Sequence, residues 1–191
     1  MSSGSNQATV LVVDDEREVA DVYALRLRGE YETRTAYGGE EALAELEDPV
    51  DVVLLDRRMP DISGDDVLAE IRDRGVDCRV IMLTAVDPGT DIIEMDFDDY
   101  LCKPVEKADL VSAIEQQLQV QRYDDRLSEY LEVSSKLALL EAELSAQELE
   151  DNEELQELST RAEELKRKMD ETIEEFDDME AAFREIARHP G

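Results

Sequence analysis

The chain has 191 residues, of which 51 are acidic and 20 basic, for a formal net charge of −31 at neutral pH. Its length allows one domain of ordinary size plus an appendage, and a hydrophobic content of 42% excludes a wholly disordered chain. No window carries the basic footprint that phosphate-backbone contacts need, and no apolar run approaches the length of a membrane span, so neither nucleic acid nor membrane is expected as a partner.

Met1 to Gln7 is Ser/Gly-rich and reads as a frayed end with no signal-peptide core. Ala8 to Val13 reads as a buried strand closing on Asp14-Asp15-Glu16, followed by a helix with Val19, Val22, Tyr23 and Leu27 at helical spacing. Tyr31 to Ala36 is a second strand and Glu40 to Leu46 a second helix. Val52 to Leu55 is an unbroken apolar run that ends on Asp56, as a strand buried on both faces would. Gly64 to Arg74 forms a helix with Val67, Leu68 and Ile71 inward, and Arg79 to Leu83 is a fourth strand running into Thr84. Pro88-Gly89 leave room for only a short helix before a fifth strand, Phe97 to Leu101, which ends on Lys103-Pro104. Five alternations of strand and helix predict a doubly wound parallel sheet with right-handed crossovers.

From Val105 to Arg188 there is neither Gly nor Pro, so a long helix is expected to divide at least once, at Glu150-Asp151-Asn152. Beyond that break, Leu155, Ala162, Met169, Phe176 and Phe183 recur every seven residues, as do Leu158, Leu165, Thr172, Met179 and Ile186. Acidic residues crowd the outward positions and leave the flanks low in charge, which predicts a helical hairpin or bundle.

The strand ends bring four reactive positions to one edge: Asp14-Asp15, Asp56, Thr84 and Lys103. In open α/β sheets ligands bind beyond the carboxyl ends of the strands. Three carboxylates in one crevice need a cation, and hard oxygen ligands suit Mg²⁺. A lysine and a hydroxyl beside them form an anion cradle, so the set is equipped for phosphoryl transfer to an aspartate. No GxxxxGK loop points to a nucleotide donor. The single histidine, His189, leaves no Ser-His-Asp triad or histidine zinc site, so a phosphohistidine must come from a partner. Cys78 and Cys102 lie in no metal-ligand spacing and read as buried thiols in a reducing cytoplasm.

With its acidic pair in VVDDE, the D-x-x-M-P-x-x-x-G run from Asp56 to Gly64, Thr84-Ala85 and Tyr100-x-x-Lys103-Pro104, the chain from Val10 to about Leu118 resembles the receiver domain of two-component response regulators. The resemblance implies that Asp56 accepts a phosphoryl group from a sensor histidine kinase, that Asp15 and Asp56 ligate Mg²⁺ directly, that Asp14 acts through water, and that the Arg58 carbonyl completes the ligands. Lys103 and Thr84 would bind the phosphoryl oxygens, Tyr100 would follow as the switch aromatic, and Lys103-Pro104 would be a cis peptide. Such a protein promotes only its own phosphorylation and dephosphorylation and is otherwise no enzyme. Thr84 and Lys103 stand closer together than in most of the family, which implies a shortened fourth helix. The C-terminal segment resembles the HalX domain that follows receivers in haloarchaea. Acid-rich surfaces of this kind resemble those of extreme halophiles, which work where molar salt shrinks the Debye length to about 3 Å.

The fold class expected is therefore α/β: a five-stranded parallel, flavodoxin-like receiver sheet over residues 8–120, followed by a long α-helical hairpin over 121–191. The hairpin is expected to act as an output module and to hold a homodimer, with its output partner unknown from the sequence. The competing function is a DNA-binding transcription regulator, which would need a basic recognition helix that is not found.

Overall fold

In the computed structural model, residues 7–184 are described, with side chains described through Glu175. The first unit carries five strands, β1 (Thr9–Val13), β2 (Glu32–Ala36), β3 (Val52–Leu55), β4 (Arg79–Thr84) and β5 (Asp99–Cys102), all parallel in the order β2-β1-β3-β4-β5. Between them run α1 (Arg17–Leu27), α2 (Gly39–Glu45) and α3 (Gly64–Asp73). The three central strands are covered on both faces, which is why they read as continuous apolar runs: every residue of TVLVV and VVLL is buried.

The register decides where chemistry can occur. Val13 pairs with Leu55, and Thr84 pairs with Cys102. The strands therefore end nearly level, and Asp14, Asp56, Thr84 and Lys103 emerge at one edge. On α1 the buried face is Ala20, Tyr23, Ala24 and Leu27, while Val22 is 46% exposed. The small alanines let the helix lie close to the sheet, a turn of the face that the apolar pattern alone does not show.

The fourth crossover contains only a 3-10 turn of five residues, Thr90–Glu94, none of them buried. The long helix α4 spans Lys107–Glu143, and α5 (Ala146–Glu150) and α6 (Glu153–Arg184) follow. The predicted break is present, with Asn152 Oδ1 accepting the N–H groups of Glu154 and Leu155 to start α6. A second break was not foreseen. Ser145 and Glu148 form a reciprocal capping box that starts α5, the S-x-x-E signature of a helix start.

The chain divides into two compact units, the first running to Leu118 and the second Gln119–Phe183. Within the second, Val133, Ala162 and Leu165 form a buried cluster with Tyr130, Leu137 and Leu158 against it. Arg126 Nη1 donates to Thr172 Oγ1 at 2.8 Å, and Arg161 meets Glu129 at 2.7 Å, so α4 and α6 form the expected hairpin. The buried seam includes Leu155, Ala162, Leu165, Met169 and Thr172 of the two heptad series. Phe176, Met179, Phe183 and Ile186 lie outside the described side chains.

Candidate functional site

The ladder of the sheet extends one residue past the strands and fixes each reactive backbone. The N–H of Asp14 donates to Ala36 at 3.1 Å, that of Asp56 to Val13 at 3.0 Å, and that of Lys103 to Thr84 at 2.8 Å. Asp14, Asp15 and Asp56 each offer a carboxylate oxygen within 4.8 Å of the others. Asp14 and Asp56 are buried and Asp15 is exposed, so the cluster opens toward solvent on one side. An all-oxygen, partly open donor set of this kind fits a hard divalent cation that keeps several waters.

Lys103 is the cation already within reach. Its Nζ pairs with Asp14 and stands 3.7 Å from Asp56 Oδ1. Burial nevertheless pushes the Asp56 carboxyl above its ordinary range. Lys103 opposes that rise, the neighbouring Asp14 adds to it, and Thr84 and the Arg57 backbone pull it back by hydrogen bonding. A buried carboxylate crowded by a second one is in a site where added positive charge is favourable.

The loop after Asp56 is shaped by one close approach. A Cβ on Gly64 would collide with the carbonyl oxygen of Asp56 and come within 2.8 Å of Arg57 Cα. Only glycine lets the start of α3 lie against the backbone of Asp56, which gives the last residue of the D-x-x-M-P-x-x-x-G run a steric reason. The Gly64 N–H also donates to the Arg57 carbonyl at 2.8 Å. Ser63 caps α3 in a capping box with Asp66, and Asp61 takes the left-handed backbone, φ 66°, that aspartate tolerates. Arg58 points its side chain into solvent, whereas Met59 is buried.

Thr84 is fully buried, and its Oγ1 accepts from Val86 N at 3.3 Å. Tyr100 is buried beside Phe97 and donates its hydroxyl proton to the Val86 carbonyl at 2.7 Å. Thus the threonine and the tyrosine grip the same residue from two strands. Lys103-Pro104 is cis. Sequence reasoning missed Arg57, whose guanidinium reaches both Asp65 and Asp91. No local spacing relates positions 57 and 91. Both thiols are buried, and desolvation pushes Cys78 up to about 11.

The family profile described as "Response regulator receiver domain" matches residues 10–115, and the one described as "HalX domain" matches residues 119–186. The chain belongs to the response-regulator receiver family, with a HalX domain following the receiver. A protein of Haloferax volcanii, provisionally named a transcriptional regulator, is 49% identical over 158 residues, covering 82% of this chain and 27% of that protein. The chain spans about half the length of other curated relatives it matches. Among solved structures, a CheY-like receiver domain from Methanospirillum hungatei matches with a TM-score of 0.59 at 27% identity, covering 62% of this chain and 98% of that one. The response regulator TrrA from Thermotoga maritima, in complex with Mg²⁺ and BeF, matches with a TM-score of 0.52 at 35% identity, over 58% and 99% of the two chains. The haloarchaeal relative fits the acid-rich composition. Among the described residues no helix is long and apolar enough to cross a membrane.

Proposed function

We propose that this protein is a phosphorelay response regulator whose Asp56 accepts a phosphoryl group from a sensor histidine kinase. The observation that carries the reading is the placement of the Asp56 carboxylate 3.7 Å from Lys103 Nζ within a cluster of three carboxylates at the strand ends. Asp14, Asp15 and Asp56, with the Arg58 carbonyl, would hold Mg²⁺, which supplies charge neutralisation for an incoming phosphoryl dianion. Asp56 attacks the phosphorus, the bond from phosphorus to the donor imidazole breaks, and its electron pair returns to that imidazole. Lys103 and the Thr84 hydroxyl bind the phosphoryl oxygens, and Tyr100 follows Thr84 through their shared hold on Val86. The chain acts on no separate substrate and promotes only its own phosphorylation and hydrolysis.

The same proposal assigns residues 8–120 to the receiver and 121–191 to a helical output module that works by protein–protein contact and joins two copies into a homodimer, in the cytoplasm. Leu131, Leu139 and Leu140, 55%, 69% and 37% exposed on α4, support such contacts. The relative's name suggests a transcriptional regulator, but the acid-rich hairpin favours a partner protein over direct DNA contact.

Acetyl phosphate or a partner phosphohistidine should label the wild type only when a divalent metal is present, and Asp56→Asn should abolish the label. Full labelling of the mutant, or indifference to EDTA, would reject the assignment. Light scattering tests the dimer, which a monomeric full-length protein would refute.

A further inference from the structure

Apolar packing holds the segment between β4 and β5 only in part, through half-buried Ile92, Met95 and Phe97 against the receiver core. The segment's only ordered turn, Thr90–Glu94, buries no residue, and Ile93 is 80% exposed. A cleft of about 720 Å³ is lined by the loop after Asp56 and by the stretch that reaches Asp91, and Ile92 does not line it. Arg57 crosses that gap. Its Nε lies 3.0 Å and 3.3 Å from the two Asp65 oxygens, its Nη2 lies 3.2 Å from Asp65 Oδ2, and the same Nη2 also donates to Asp91. The Arg57 side chain is only 12% exposed, but Asp65 and Asp91 are 43% and 58% exposed, so salt screens the charge attraction and the hydrogen bonds carry the contact. The guanidinium is held more firmly protonated by Asp65 first and Asp91 second, and it in turn lowers the Asp91 carboxyl and pulls against the burial-driven rise of Tyr100.

The geometry points to Arg57 as a positioning residue that tethers the Thr90–Glu94 turn, through Asp91, to the loop after Asp56, through Asp65. Guanidinium suits this task because its planar fork can engage two carboxylates at once, which an ammonium does poorly. The tether stands on the receiver fold alone. Its further consequence, that the turn senses the phosphoryl state of the adjacent Asp56, rests on the proposed function.

Hydrogen exchange of the full-length protein in molar KCl tests both parts. Without any phosphoryl mimic, Asp91→Asn and Arg57→Met should each speed exchange of the amides around residues 90–94 by about two- to fivefold, the factor a hydrogen-bonded ion pair with an exposed carboxylate is worth. Amides of β1 and β3 should be unchanged. Asp65→Asn should have a smaller effect, Arg57→Lys should restore part of the protection, and the Arg57→Met/Asp91→Asn double variant should exchange no faster than the faster single variant. Wild-type exchange in either single variant, or additive effects in the double, would overturn the tether. Should Arg57→Met not fold, the isosteric change at the exposed Asp91 carries the test. Beryllofluoride should then alter exchange of this segment in the wild type and lose most of that effect in Asp91→Asn. An equal response in both would overturn the sensing role, and failure of beryllofluoride to bind the wild type would count against the proposed function while leaving the tether standing.

Discussion

In the receiver the sheet is buried from both sides, and Leu11, Leu54, Leu55, Ile81, Met82 and Leu101 are among its fully buried side chains. Among the described side chains of the helical unit, Val133, Ala162 and Leu165 form a buried cluster with three further side chains partly covering it, Leu155 and Met169 are buried along the same seam, and Leu131 and Leu139 face solvent. The receiver's core comes from non-local strand pairing closed over by helices. The hairpin has one seam between two helices, so removing one contact there removes a larger share of what holds it. A chain built from both kinds need not melt in one step, and two transitions are expected on unfolding.

The comparison can be broken most sharply at the centre of each core. Ile81→Ala should cost the receiver about 2–5 kcal/mol, read as a lower denaturant midpoint for the receiver transition alone. If both transitions move together, the units are not separate in stability. Leu165→Ala should cost nearer 2 kcal/mol, because two helices can settle toward each other and fill part of the gap. Against the smaller core that loss should still abolish a distinct helical transition by circular dichroism. Arg126→Met removes the donor to Thr172 and should cost the same unit about 1–2 kcal/mol; no change in its midpoint would show that the seam is held by apolar contact alone.

The smallest effect separates a site from a scaffold. The Asp56 carboxyl is raised in the folded protein, so the folded state prefers its protonated form. Its stabilising contribution is full below the unfolded carboxylate range and is lost as pH rises through the raised value. Asp56→Asn should therefore raise the receiver's melting temperature at pH 7 in metal-free buffer, and the difference from wild type should shrink on acidification into the carboxylate range. A mutant melting below wild type at pH 7 would contradict the crowding of Asp56 by burial and Asp14.

Much of this protein was legible in its sequence because the signals were local. Unbroken apolar runs marked the two-face-buried strands, and the carboxylate, threonine and lysine directly at or after their ends named the site edge. Heptads through Leu155 and Leu165 marked the hairpin seam, and Pro88-Gly89 marked the short fourth crossover. What escaped was either a local signal overlooked, as at Ser145-x-x-Glu148, or a relation with no local trace. That α1 turns Val22 outward and rests on Ala20 and Ala24 is set by how close the helix comes to the sheet. That Gly64 must lack a side chain is set by its approach to the Asp56 carbonyl. That Arg57 meets Asp91, 34 residues away, is set by two loops converging at the ends of parallel strands. Periodicity and punctuation report what each segment does with its own neighbours; only the folded sheet, by lining up its strand ends, decides which distant charges share a cleft.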